Sequence, residues 1–336
     1  MRFLAHRLLL FVAALFGVSV LVFVALRILP GDVAAVMAGT AATPERIAVL
    51  RTQFGLDRPL AVQYLDWVGG LLHGDLGTSA LTGRAVIAQV GQRASLTFPL
   101  ILMSLFVALL IGLPMGCASV LARGRRMRGL LHVLAIVGGA VPALWGGLLL
   151  ILLFSRGTGL IGLFPSQGFP SEGWHDFGRA LASLVLPAVA TGVVAGAGIM
   201  RYTRAAVEDV MDDGPIDMAM ACGMTRTQAV LRVGLRLATP QLVSVAGLTF
   251  AQMITGVMVV ESLFALPGLG ALLIGDVGNR DLIAVQSELF LLAAFFLTLG
   301  LAIDLIHRAL DPRLRAADPG SRVDATGTDA AVNGGE

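Results

Sequence analysis

The chain contains no lysine; all 24 of its basic residues are arginine, set against 22 acids. A nucleotide-cradling loop ends in Lys followed by Ser or Thr, so any nucleotide energy must be bound by another polypeptide. Cysteine is nearly as scarce. Cys117 falls in an apolar run and Cys222 in a polar one, which suggests no disulfide framework and casts both as small packing residues. The histidines His6, His73, His132, His175 and His307 are scattered without metal-ligand spacing, so neither a metal centre nor catalysis is predicted. Only 14% of residues are charged. The formal net charge of +2 argues neither for nor against nucleic acid, and no nucleic-acid partner is expected.

What the chain has is apolar length. It is 56% hydrophobic, with a mean hydropathy of +0.84, which places it among polytopic membrane proteins. The apolar stretches exceed any barrel strand, and backbone groups in lipid must pair within their own segment, so the predicted fold is all-α. Six spans are predicted: Leu8–Leu26, one within Ala94–Ala122, one within Leu130–Phe154, Ala180–Met200, Leu242–Phe264 and about Ile283–Ile306. Arg2 and Arg7 before the first run resemble a signal peptide, but the run is long and Arg27-Ile28-Leu29-Pro30 follows it, so it is expected to be retained. Arginines gather at Arg123–Arg128, in residues 201–240 and at Arg308–Arg315, which predicts both termini in the cytoplasm.

More than sixty residues then lie outside between the first two spans. Thr43-Pro44-Glu45 predicts a helix start and Gly55 its stop, Asp57-Arg58-Pro59 starts another, and Gly83–Arg93 is a third candidate. Leu60, Tyr64, Trp67, Val68 and Leu71 share one face of the second. This segment suits a cap resting on the bundle or a surface for an external partner. Pro99 and Pro114 in the second span predict kinks, and Gly192, Gly196 and Gly198 in the fourth permit close helix contact. Glu261, Glu288 and Asp304 fall near span ends, where water, arginine or a helix terminus can satisfy them.

The interval from Arg201 to Pro240 is the polar centre of the chain. Arg201, Arg204 and Glu208 prolong the fourth span, and Asp213-Gly214-Pro215 breaks it. A helix is predicted over Asp217–Cys222, a turn at Gly223, and a Thr225-capped helix carrying Arg226, Arg232 and Arg236. Its apolar side can enter a cleft on a soluble subunit or lie along its own bundle.

Ordered motifs then narrow the field. Arg27-Ile28-Leu29-Pro30-Gly31-Asp32 leaves the first span, and Gly55-Leu56-Asp57-Arg58-Pro59, Tyr64 and Gly74-Asp75-Leu76-Gly77 follow outside. Val260-Glu261-Ser262-Leu263-Phe264, Pro267-Gly268-Leu269-Gly270, Asn279-Arg280-Asp281, Gln286 and Asp311-Pro312-Arg313 close the series. In this the chain resembles the dipeptide, oligopeptide and nickel permeases of bacterial ABC importers. The resemblance implies that Asp217–Pro240 is a cytoplasmic coupling loop between spans four and five, with Asp217, Ala219, Ala221, Gly223, Met224, Thr225, Arg226 and Arg232 facing the ATPase coupling task. The family's usual Ala-Arg-Ala-Lys-Gly is here Ala219-Met220-Ala221-Cys222-Gly223, and Gly214-Pro215-Ile216 stands where an aromatic is usual.

The resemblance also implies a non-catalytic inner-membrane subunit. Its expected partners are a second homologous permease, two cytoplasmic ATPases that hold ATP and Mg, and an external solute-binding protein delivering a short peptide, nickel complex or related small solute. The expected organisation is a first-span segment over 1–29, an external segment over 30–93, a permease core over 94–310 and a mostly disordered tail over 311–336. An ion-driven secondary transporter is the first rival reading, and it predicts midplane acids or broken helices. A non-transporting scaffold is the second.

Overall fold

The computed structural model describes residues 2–28, 33–38, 43–157, 159–212 and 214–310. Pro30, Gly31, Asp32, Asp213 and the 311–336 tail therefore lie outside the described residues. Those described are helical throughout, apart from short connections and two isolated bridges, Thr78 to Ala85 and Ser155 to Phe164. In order they form α1 (Arg2–Ile28), α2 (Val33–Ala38), α3 (Pro44–Gln53), α4 (Leu60–Leu72), α5 (Val86–Leu121), α6 (Arg125–Ala140) and α7 (Ala143–Phe154). Then come α8 (Phe177–Asp212), α9 (Pro215–Ala221), α10 (Arg226–Ala229), α11 (Leu235–Leu263), α12 (Leu269–Gly278) and α13 (Leu282–Leu310).

Local chemistry sets many of these ends. The Thr43 hydroxyl accepts from Arg46 N at 3.3 Å with Pro44 in the first turn, and Gly55 takes φ 65° just beyond α3. The expected separate helix over Gly83–Arg93 is instead the opening of α5, because no breaker separates Val86 from the apolar run. Pro99 and Pro114 sit inside α5 without interrupting it.

Five helices are long and apolar enough to cross a membrane: Leu4–Ile28, Val86–Leu121, Phe177–Met211, Arg226–Leu263 and Leu282–Ile306. The expected third span is not one straight helix. It is the pair α6 and α7, bent by 101°. Pro142 is the cause: proline disfavours the helical region for the residue before it, and Val141 has gone to φ −76°, ψ 120°. The outward faces of α1, α6 and α7 carry Leu9, Phe16, Val133, Ile136, Trp145 and Leu152. That is the surface of a multi-pass membrane protein, whose solvent is hydrocarbon.

The centre of the bundle is the pairing of α5 with α8, on which α11 also packs. These two helices meet almost backbone to backbone. A Cβ on Gly112 would fall 2.7 Å from Ile199 Cβ, one on Gly116 2.5 Å from Thr203 Cβ, and one on Gly192 2.7 Å from Ser104 O. Apolar solvent gives helices no hydrophobic reason to associate, so close packing and buried polar pairs must hold them. One such pair is Ser104 Oγ with Thr191 Oγ1, at 2.6 Å.

Candidate functional site

Three groups of residues singled out in the sequence come together separately. The first is the elbow between α8 and α11. Gly214, at φ 85°, lets the chain turn into α9, and Gly223, at φ 91°, lets it leave. Gly223 N also donates to Met220 O at 2.9 Å. Thr225 then caps α10 reciprocally: its hydroxyl accepts from Gln228 N at 3.3 Å, while Gln228 Oε1 accepts from Thr225 N at 3.1 Å. A π turn over Val230–Gly234 joins α10 to α11.

The elbow has two faces. Ile216, Ala219, Ala229 and Val230 are buried against Val210, Met211, Met224 and the α8 residues Ala206 and Val207. Asp217, Ala221, Cys222, Gly223, Thr225, Arg226 and Arg232 face outward. Ala219 and Met224, predicted alongside them, turn inward or halfway and support the exposed residues from behind. Sequence reasoning missed Met218, which is 73% exposed. The sequence carried no signal for it, since packing against α8 decides which face of α9 is exposed.

The second group encloses Glu261 near the end of α11. Its side chain is wholly buried. It accepts from Thr97 Oγ1 at 2.5 Å and from Gly270 N at 2.8 Å, while Leu269 N donates to Thr97 Oγ1 at 2.9 Å. A buried charge persists where donors surround it. Gly268 N donates to Leu266 O across Pro267 in a three-residue turn, 2.9 Å long. Any Cβ on Gly268 would collide with the Glu261 carboxylate, and one on Gly270 would meet Met258 Cα at 2.5 Å. The glycines and the acid are thus one device, which fixes the start of α12 on α5.

The third group ties the segment between α4 and α5 to α13. Asp281, 1% exposed, accepts from Ser79 Oγ at 2.6 Å, from Leu81 N at 3.2 Å and from Ala284 N at 3.2 Å. Asn279 ends α12, and Arg280 takes φ 56° to turn the chain into the Asp281 cap. On the facing side Gly74 and Gly77 have φ 78° and 80°, and Asp75 Oδ1 accepts from Gly77 N at 2.9 Å. Ser287 Oγ donates to Leu76 O at 2.7 Å.

Of the other membrane acids, Asp304 pairs with Arg7 at 2.7 Å, joining α13 to α1. Outside the long helices, burial pushes the Asp276 carboxyl above its ordinary range; its hydrogen bond to Glu288 opposes that, Asp281 adds to it, and Arg93 opposes it. Among the described residues, no three His, Cys, Asp or Glu side chains are grouped to hold a metal ion.

Comparison with known proteins follows the same division. Residues 108–316 match the family described as binding-protein-dependent transport system inner membrane component, and residues 1–91 match the N-terminal part described for such membrane components. The glutathione transport system permease protein GsiC of Salmonella typhimurium is 34% identical over 315 residues, covering 94% of this chain and 99% of that protein. Its namesake in Escherichia coli is 33% identical over the same length and coverage. A crystal structure of an amino acid ABC transporter with histidines shares the fold, with a TM-score of 0.51 at 18% identity, over 66% of this chain and 94% of that one.

Proposed function

Because the chain belongs to the family of binding-protein-dependent transport system inner membrane components, we propose that its 215–234 elbow is the surface on which a cytoplasmic ATPase acts. The chain is a permease subunit of a peptide or small-solute ABC importer. The proposed arrangement has six crossings, with α6 and α7 together making the third, and both termini and the elbow in the cytoplasm. Residues 30–93 lie outside, 94–310 form the permease core, and 311–336 form the tail. A second homologous permease completes the pathway, two ATPases bind ATP and Mg, and an external binding protein delivers the solute.

The supporting observation is the elbow's two-faced build. Its inner face packs on α8, so a force applied outside reaches the bundle, and its outer face presents Met218 among Asp217, Arg226 and Arg232. An apolar centre with charges at the rim is the usual composition of a specific docking patch. A few kcal/mol of differential ATPase binding is enough to redistribute two packings of the bundle. The solute is a short peptide, a reading favoured by relatives that carry the name of glutathione transport.

Reconstitution with both ATPases, the second permease and the binding protein tests the whole reading. Uptake must require ATP and vanish with ATPase subunits unable to hydrolyse it. Uptake indifferent to that change supports an ion-driven carrier, and topology mapping that puts Thr225 on the external side rejects the elbow's role.

A further inference from the structure

Two cavities meet at Arg27, in the last turn of α1. The first, of about 300 Å³, lies where α1, α3, α4 and α13 come together, and Gln53, Arg58 and Gln286 are among its walls. Three of the ordered motifs reach it, through Arg27, through Gly55-Leu56 with Arg58, and through Gln286. The second, of about 360 Å³, runs between α1 and α4, and Arg27 is the only charge in its otherwise hydrocarbon and aromatic lining. Its rim faces away from the bundle, with Val24 45%, Leu60 58% and Ile28 74% exposed.

Arg27 is held without being used up. Its Nη2 donates to Gln63 Oε1 at 2.9 Å, and the guanidinium lies 4.8 Å from the centre of the Phe23 ring. Gln63 is fixed in turn, its Nε2 donating to Leu56 O at 3.1 Å and to Arg58 O at 2.8 Å. A guanidinium has five N–H donors, so most of those on Arg27 remain to be given. Among the described residues, Asp66 is the one carboxylate lining the first cavity, and Arg58 already pairs with it at 2.9 Å. Two guanidiniums against one carboxylate leave a single positive charge. Gln286, 5% exposed, makes no hydrogen bond among the described residues and lines the same cavity. The depth is also marked: Trp67 borders the first cavity, Phe23 and Tyr64 border the second, and the three rings lie 5.4 to 6.4 Å apart. Trp and Tyr gather at the level of lipid head groups, and the apolar span of α1 ends at Ile28.

We infer that the paired cavities bind an anionic glycerophospholipid with a polyol head group. Its phosphate sits on Arg27, its head-group hydroxyls reach Gln53 and Gln286, and an acyl chain lies in the groove between α1 and α4. One uncompensated guanidinium matches a phosphodiester with one negative charge, and the planar fork of arginine suits phosphate oxygens. An ammonium head group fits less well, because Asp66 is spent on Arg58. A soluble phosphate ester uses the first cavity alone, whereas a lipid uses both, and the two begin at the same side chain. Neither ATP nor a transported solute enters into this inference, so it stands apart from the importer reading.

The test uses the full chain in nanodiscs of phosphatidylcholine that hold a trace of phosphatidylglycerol with a photoreactive group on one acyl chain, crosslinks being located by peptide mass mapping. Crosslinks are expected on residues 20–28 and 60–64. Charge-assisted hydrogen bonds predict that unlabelled phosphatidylglycerol suppresses them about tenfold more effectively than phosphatidylethanolamine with the same chains. Arg27→Gln removes that preference, Arg27→Lys restores part of it, and Ala61→Trp, which fills the groove without altering charge, lowers crosslinking at both segments. Equal suppression by the two lipids, crosslinks spread evenly over α1, α6 and α7, or a preference unchanged in Arg27→Gln overturns the assignment. Suppression by glycerophosphoglycerol at the same concentration shows a site for free phosphate esters and also overturns it. Loss of the crosslinks once a second permease is bound does the same, since the surface is then a subunit contact. The two lipids are compared on unaltered Arg27, so a variant that folds poorly does not decide the outcome.

Discussion

The two ends of this bundle are built on different principles. At one end Glu261 and Asp281, both buried, bind backbone and hydroxyl groups more than 160 residues away in the chain, namely Thr97, Ser79 and Leu81. At the elbow the fixed points are local: a capping box spanning Thr225 to Gln228, positive φ at Gly214 and Gly223, and a small apolar underside. Buried polar networks specify one geometry and tolerate little change, whereas a patch held by apolar contact can shift as a unit. A part that receives motion and a part that holds a frame are expected to differ in this way.

Gly268 is the position least able to accept a side chain. Gly268→Ala sets a methyl group into the Glu261 carboxylate, and destabilisation by about 3 kcal/mol or more is expected, measured as lost folded yield and a lower Tm in detergent. A Tm unchanged by this substitution removes the idea of a rigid frame around Glu261. Gly223→Pro acts at the other end. Its φ of 91° and its donation to Met220 O are both closed to proline. ATP-coupled uptake is expected to collapse while membrane abundance stays near normal, and full coupled uptake counts against the elbow. Asp281→Ala leaves Ser79 Oγ and Leu81 N without their acceptor, at a cost of about 2 kcal/mol, visible as faster proteolysis between Gly77 and Ala85. The smallest effect belongs to the elbow's outer surface. Met218→Glu, Arg226→Glu or Arg232→Glu is expected to weaken ATPase association about tenfold and to leave membrane insertion alone, since such side chains act at the contact and not in the fold. An unaltered association constant for all three moves the docking surface elsewhere.

Much of the fold was legible because helices in lipid obey local rules. Apolar run length located the long apolar helices, Thr43 and Thr225 announced helix starts, and Gly223 announced a turn. Pro142 was also in view, yet a hydropathy window averages over a single residue and so joined α6 to α7. The opening of α5 was misjudged for the opposite reason: Gly91, Gln92 and Arg93 interrupt the apolar pattern but continue the same helix. The candidate sites were legible as motifs and opaque as mechanisms. Nothing along the chain pairs Thr97 with Glu261, or Ser79 with Asp281, because those contacts are made by folding over long separations. The orientation of Met218 depends in turn on which face of α9 meets α8, a tertiary choice.

The glycine-mediated seam between α5 and α8 has a mechanical corollary. With no side-chain cushion at Gly112, Gly116 and Gly192, neither helix has room to roll against the other. Two rods of 36 residues, each about 54 Å long at 1.5 Å per residue, therefore behave as a single lever arm. One extremity carries Val207, pressed by the elbow, and the other carries Thr97, which grips the entrance to α12. A tilt imposed at the first is delivered to the second with little lost to slack, so the entrance to α12 is geared to the elbow through one welded joint.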